Sequence, residues 1–202
     1  MIAVIDYKAG NLTSVEKALR YLGAETLVTQ DPEVVRSASK VVLPGVGHFQ
    51  ATQLLTDLGL TEAVRESVAK GTWFLGICVG AQWLFEGSTE APGIAGLGEF
   101  VGMCERFPAR VDGVELKSPH VGWNSLEQIR SDSRLLRGVK DGGFMYYTHS
   151  WRAPVVEATA AVTKYGGPFT AVVERGSVMG VQFHPEKSSA VGLQVLRNFV
   201  EL

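Results

Sequence analysis

Trp73-Phe74-Leu75-Gly76-Ile77-Cys78-Val79-Gly80-Ala81-Gln82-Trp83-Leu84-Phe85 joins an apolar run, a glycine-flanked cysteine and a helix-like segment without interruption. The order predicts a strand, a sharp turn and a helix, with Cys78 where a nucleophile elbow carries its attacking atom. Glycines on both sides permit backbone angles that a side chain would forbid, and let a substrate approach closely. The helix is expected to direct N–H groups and its positive dipole end at the sulfur, lowering the thiol pKa toward a reactive thiolate. A buried cysteine ending a core strand is the competing reading of a lone cysteine. The paired glycines favour the nucleophile.

Working outward, the first half alternates strand and helix patterns. Ile2–Asp6 reads as an apolar strand, and Leu12–Leu22 places Val15, Ala18, Leu19 and Leu22 on one helical face. Ala24–Thr29 is a second strand, closed by an Asp31-Pro32 turn signal. Val41-Val42-Leu43 is a third, ending in the glycine-rich loop Pro44-Gly45-Val46-Gly47. Helical patterns around Phe49–Leu58 and Thr61–Lys70 lead to the fourth strand, Thr72–Ile77. This alternation predicts an α/β fold: a flavodoxin-like open, mostly parallel sheet with helices on both faces. Functional groups then collect at the carboxyl ends of the strands, where Gly45–Gly47 and Cys78 both fall. From Gly98 to Gly180 the chain is strand-rich and broken by Pro and Gly, so added antiparallel strands are expected in the C-terminal half. Val178–Phe183 reads as another core strand and Ser188–Leu202 as a closing amphipathic helix.

Composition suits an enzyme. With 202 residues and 46% hydrophobic content, one domain over 1–202 with a substantial core is expected. A net charge of −2 gives no electrostatic case for nucleic acid. No apolar stretch approaches the roughly 18 residues that span a bilayer, so no membrane partner is expected. The chain opens on a strand pattern, with no basic leader or signal-peptide core. Cys78 and Cys104 show no metal-type spacing and read as free thiols in a reducing cytoplasm. Neither a metal nor a cofactor is expected.

A cysteine nucleophile needs a base, and the base needs an orienting group. In Gln182-Phe183-His184-Pro185-Glu186, residues two apart on an extended segment share a face, so Glu186 can hold one nitrogen of His184 while the other faces the thiol. Pro185 stiffens the backbone between them. Standing alone, the tripeptide would read as a surface turn. Acyl transfer also needs donors for an oxyanion. The flexible peptides of Gly45, Val46 and Gly47 and the amide of Val79 are the candidates. A phosphate cradle is the weaker reading, because the loop lacks both Gly-x-Gly-x-x-Gly spacing and a Lys-Ser/Thr ending.

Pro-Gly-x-Gly at 44–47, Gly-x-Cys-x-Gly-x-Gln at 76–82 and His-Pro-Glu at 184–186 together resemble the class I, triad-type glutamine amidotransferase family across nearly the whole chain. The resemblance implies hydrolysis of the glutamine side-chain amide through a cysteinyl thioester, with Gln82 at a glutamine-contacting position. Pro44–Phe49, Pro119–Asn124, Tyr146–Ser150 and His184–Ser188 are similar to the glutaminase subunits of imidazole glycerol phosphate synthases, within that family. Valine at 46 separates this chain from the Pro-Gly-Gly strand usual in the class. That similarity implies a heterodimer with a TIM-barrel cyclase subunit, which uses the ammonia in histidine biosynthesis. It further implies that His149 and Ser150 line the glutamine pocket, and that Asn11, Trp123, Tyr146 and Lys187 face the partner. The elbow departs slightly, with Val79 and Ala81 where leucine and methionine or histidine are frequent; both replacements are small and apolar. Each interface residue also has an ordinary reading: strand packing for Trp123, a core aromatic for Tyr146, a solvated charge for Lys187, a helix N-cap for Asn11.

Three rival functions compete. A glutaminase for another synthase lacks support in the segments at Trp123 and Lys187. A non-catalytic module has no physical need to keep Cys78, His184 and Glu186 together. A cysteine hydrolase or peptidase leaves Gln82 unexplained.

Overall fold

The computed structural model describes residues 1–202. The strands are β1 (Ile2–Ile5), β2 (Thr26–Thr29), β3 (Lys40–Gly45), β4 (Trp73–Cys78), β5 (Gly87–Ser88), β6 (Met103–Arg106) and β7 (Arg110–Val111). They continue with β8 (Val114–Glu115), β9 (His120–Ser125), β10 (Phe144–His149), β11 (Trp151–Arg152), β12 (Thr159–Lys164), β13 (Pro168–Arg175) and β14 (Val178–Val181). The α-helices are α1 (Leu12–Tyr21), α2 (Pro32–Ser37), α3 (Gln53–Asp57), α4 (Leu60–Ala69), α5 (Val79–Gln82) and α6 (Ser189–Glu201).

Seven strands form the main sheet in the order β12-β13-β14-β4-β3-β1-β2. From β14 to β2 every pairing is parallel, and β13 and β12 continue the sheet antiparallel. Strands β1 and β14 are buried throughout, and β3 and β4 at all but their first residue. That follows from their unbroken apolar text, the mark of parallel strands covered on both faces. The edge strand β2 is covered less completely, leaving Leu27 exposed. Helix α1 packs against α6, while α2, α3 and α4 pack together, giving two helical groups.

Two local expectations need revision. Asp31-Pro32 starts a helix rather than closing a turn. Asp31 caps α2 by accepting from the Glu33 N–H at 2.9 Å, and Pro32 occupies the first helical position, where its missing N–H matters least. The stretch from Phe49 begins as a 3-10 turn, Phe49–Thr52, before α3. The C-terminal half contributes a ribbon, β9 with β10, and a small sheet in the order β11-β6-β5. These lie beside the carboxyl ends of the parallel strands and close the site.

Candidate active site

Gly45 and Cys78 are paired in register at the carboxyl ends of β3 and β4. On either side, β14 ends three residues before His184 and β1 ends two residues before Tyr7. The strand order reverses between β1 and β3, so the site sits beside the switch point where open α/β sheets bind ligands. Cys78 holds φ 55° and ψ −109°, backbone angles that side chains avoid. Its neighbours explain how the strain survives. A Cβ at Gly76 would overlap the Gly80 carbonyl, and one at Gly80 would overlap the Leu43 carbonyl oxygen. Only glycines let the elbow lie this flat against β3. The helix it opens, α5, is a single turn. The extended macrodipole expected from sequence therefore reduces to the free N–H groups of one turn.

His184 Nδ1 lies 2.9 Å from Glu186 Oε1, with both side chains buried. The pairing arises from a 3-10 turn over Pro185–Lys187, not from the alternation of an extended segment. Because the carboxylate can only accept, Nδ1 carries the hydrogen. Burial lowers the His184 pKa, yet interactions with Cys78 and then Glu186 outweigh it and raise the value to about 10. Nε2 and Glu186 Oε2 have no hydrogen-bond partner. The influence of Cys78 on the imidazole is thus one of proximity and charge without an aligned bond, as is common before substrate tightens a site. Cys104 is buried on β6, where burial pushes its thiol pKa up, leaving Cys78 as the thiol beside a base.

A cavity of about 270 Å³ opens on Cys78. Val46, Gly47 and Val79 line it, while Gly45 is buried behind them. Gln82, His149 and Ser150 also line it. Gln82 Nε2 donates to the Trp151 carbonyl at 2.8 Å, and the Ser150 hydroxyl pairs with that of Ser118 at 3.3 Å. Burial lowers the His149 pKa to about 3, so this ring is a neutral wall of the pocket.

Two further residues escape sequence reasoning. Glu90 is the single charged side chain lining the cavity. It is held by the Phe49 N–H, which donates to Oε2 at 2.8 Å. Ser88-Thr89-Glu90 carries no motif that would have pointed to it. The Tyr7 hydroxyl is buried without a partner where a Cβ on Gly45 would collide with it, and Cys78 adds to the burial that raises its pKa.

The interface candidates lie outside the lining of this cavity. In the β9–β10 ribbon Trp123 pairs with Tyr146, and their rings meet edge to face at 6.0 Å. Val121, Trp123 and Phe144 are 55%, 51% and 57% exposed on that same face of the ribbon. Lys187 is exposed at the end of the Pro185–Lys187 turn. Asn11 stands at the N-cap of α1 but makes no capping bond, so capping does not explain it. A larger cavity of about 550 Å³ lies elsewhere, lined by Arg130, Arg134 and Arg175. Those guanidiniums are already engaged by Asp132, Glu174, Glu99 and backbone carbonyls, and no nucleophile adjoins them. No group of three or more His, Cys, Asp or Glu side chains is placed to hold a metal ion.

A glycine-flanked thiol on a strained elbow, beside a carboxylate-held imidazole at the carboxyl ends of parallel strands, is the arrangement of an acyl-transfer enzyme of the amidotransferase type. The chain belongs to the class-I glutamine amidotransferase family, whose model matches residues 3–202. Over its full length it is 44% identical to the imidazole glycerol phosphate synthase subunit HisH of Chlorobium luteolum, covering 100% of both chains. It is 45% identical to the HisH subunit of Methanothermobacter thermautotrophicus, covering 100% of this chain and 98% of that one. Among solved structures, the fold matches a glutamine amidotransferase with a TM-score of 0.75 at 20% identity, covering 100% of each chain. It also matches a chain of PurLQS from Thermotoga maritima with a TM-score of 0.74 at 16% identity, covering 99% and 97%.

Proposed function

We propose that this chain is the glutaminase of an imidazole glycerol phosphate synthase: it hydrolyses glutamine and hands the ammonia to a cyclase subunit of histidine biosynthesis. The observation that carries the reading is the juxtaposition of Cys78 with the His184–Glu186 pair, bonded at 2.9 Å, at one end of the sheet. Cys78 gives its thiol proton to His184 Nε2, and its Sγ attacks the side-chain amide carbon as negative charge moves onto the carbonyl oxygen. The Val79 amide and peptides of the Gly45–Gly47 segment are the donors for that oxyanion. His184 delivers its proton to the amide nitrogen, the C–N bond breaks and ammonia leaves a thioester on Cys78. Water, losing a proton to His184, then attacks the thioester and releases glutamate. Glu186 keeps Nδ1 protonated and supports the imidazolium in both halves.

Gln82, His149 and Ser150 shape the glutamine pocket, and the carboxylate of Glu90 complements the α-ammonium of the substrate. The exposed apolar face of Val121, Trp123 and Phe144, with Tyr146, is the docking surface for a TIM-barrel cyclase, and Asn11 and Lys187 are its further candidates. Direct transfer has a chemical purpose, because free ammonia at neutral pH is mostly ammonium and is not nucleophilic. The two free cysteines, Cys78 and Cys104, suit a reducing compartment such as the cytoplasm. The test pairs this chain with a purified cyclase subunit. Cys78→Ala should abolish glutamine hydrolysis while synthesis from added ammonium salts continues at the wild-type rate. Glutamine hydrolysis persisting in Cys78→Ala sinks the mechanism.

A further inference from the structure

One backbone carbonyl orients a buried polar network that ends on the nucleophile. The Trp151 carbonyl can only accept, and two side chains converge on it: Gln82 Nε2 at 2.8 Å and His149 Nδ1 at 2.7 Å. The first contact fixes the amide of Gln82, whose NH2 also donates to Gln182 Oε1 at 3.0 Å. Gln182 must therefore turn its own NH2 the other way, where Nε2 lies 3.7 Å from Cys78 Sγ. The second contact fixes the tautomer of His149, whose Nε2 is left as an acceptor. His120 Nδ1 donates to it at 3.1 Å, and His120 Nε2 accepts from Asn124 Nδ2 at 3.2 Å. The second hydrogen of Asn124 goes to the Lys164 carbonyl at 3.0 Å. Every donor and acceptor role follows from the first carbonyl, with no choice left over. Gln82, Gln182, His120 and His149 are all buried, so none can exchange its partner for water without opening the structure. Burial lowers the pKa of His120 to about 4 and that of His149 to about 3, so both rings stay neutral and the polarity holds at neutral pH.

We propose that Gln182 is a positioning residue for the nucleophile: its NH2, aimed by the Trp151 carbonyl through Gln82, donates to Cys78 Sγ and favours the ionised, attacking sulfur. An N–H donor strengthens when its acceptor gains charge, so the contact supports thiolate more than thiol. Gln182 does not line the cavity that opens on Cys78. The proposal rests on Cys78 being the attacking atom, yet its test needs no glutamine. The ionisable groups around that sulfur are His184 beyond β14, Tyr7 beyond β1, and Glu90 and the neutral His149 in the cavity lining. All four are unchanged in Gln182→Met and Gln182→Glu.

The test follows alkylation of Cys78 by iodoacetamide across pH in the full chain. Gln182→Met keeps the shape and removes the donor, while Gln182→Glu replaces the donor by an acceptor. Both should move the midpoint of the alkylation profile upward, by about one pH unit for the methionine variant and more for the glutamate. With the cyclase present, glutamine turnover at saturation should fall about tenfold with KM nearly constant, since the contact serves the sulfur and not the substrate. In the unaltered protein, the Gln182 side-chain amide resonances should shift at the midpoint of the alkylation profile. That measurement stands even where a variant fails to fold. Profiles identical to wild type in folded variants, or amide resonances that ignore the midpoint, overturn the proposal. Retained glutaminase activity in Cys78→Ala would instead overturn the functional reading, and the two failures are separable.

Discussion

The electrostatics of the site converge on one imidazole. His184 is buried, which by itself favours the neutral ring, yet Cys78 and Glu186 together raise its pKa to about 10. The folded protein therefore binds a proton more tightly at His184 than the unfolded chain does. The stability this contributes is complete below pH 6.5 and is lost as pH rises through about 10. Glu186→Gln removes one source of the shift. The stability gap between wild type and this variant, read from denaturant melts, should be widest at pH 6.5 and narrow toward pH 10. A gap that widens with pH would mean that His184 is neutral in the fold. In kinetics, Glu186→Gln should bind glutamine normally and turn over more slowly. Its loss should be smaller than that of His184→Ala, because the carboxylate supports the base without replacing it. The reverse order in kcat would reassign the two roles.

At the scale of elements, the elbow works because β3, β4 and α5 are in backbone contact. A Cβ at Gly80 would meet the Leu43 carbonyl oxygen and carbon and the Leu43 side chain. Gly80→Ala must therefore push α5 away from β3. It should lower stability by about 1–3 kcal/mol in thermal melts and displace the Val79 amide from the oxyanion site, reducing turnover more than glutamine binding. Wild-type turnover in Gly80→Ala would show that α5 can move without harm to the oxyanion donors. The need for glycine here was legible in the sequence, as were the parallel strands, since buried β1, β3, β4 and β14 are written as continuous apolar runs. Cys78 and the His-Pro-Glu segment were legible for the same local reason. Their geometry was only partly so: His184 and Glu186 meet through a 3-10 turn that alternation does not describe. What stayed hidden depends on register between distant segments. Gln82 bonds Gln182 across 100 positions, and Gln182 reaches Cys78 across 104, so no local pattern announces either contact. Glu90 and Tyr7 were missed because a lone carboxylate and a lone tyrosine carry no spacing signal until the fold sets them beside the cavity.

Over the whole molecule, the exposed ribbon and the reactive pocket are one continuous structure. Trp123, Tyr146 and Thr148 lie on the same face of the β9–β10 ribbon, and Thr148 lines the cavity that opens on Cys78. A partner seated on that face would reach the wall of that cavity through Thr148. Val46 lines the same cavity, where its branched side chain restricts rotation of a peptide proposed to aim an N–H at the oxyanion. We expect at least one such N–H to point away in the free chain. The triad is then assembled but the transition state is short of a donor, a deficit typically of about a hundred- to a thousandfold in turnover. Docking of the synthase loaded with its own substrate would turn the Gly45–Gly47 segment and supply the donor, so that glutamine is consumed only when ammonia can be used. The measurement is glutamine hydrolysis by the free chain, by the complex, and by the complex with acceptor ligand, which should rise in that order. Val46→Gly should raise the rate of the free chain alone, because glycine frees the peptide to rotate without the partner. A free chain as fast as the loaded complex would refute the gating while leaving Cys78, His184 and Glu186 in their roles, since none of their contacts depends on where the Val46 peptide points.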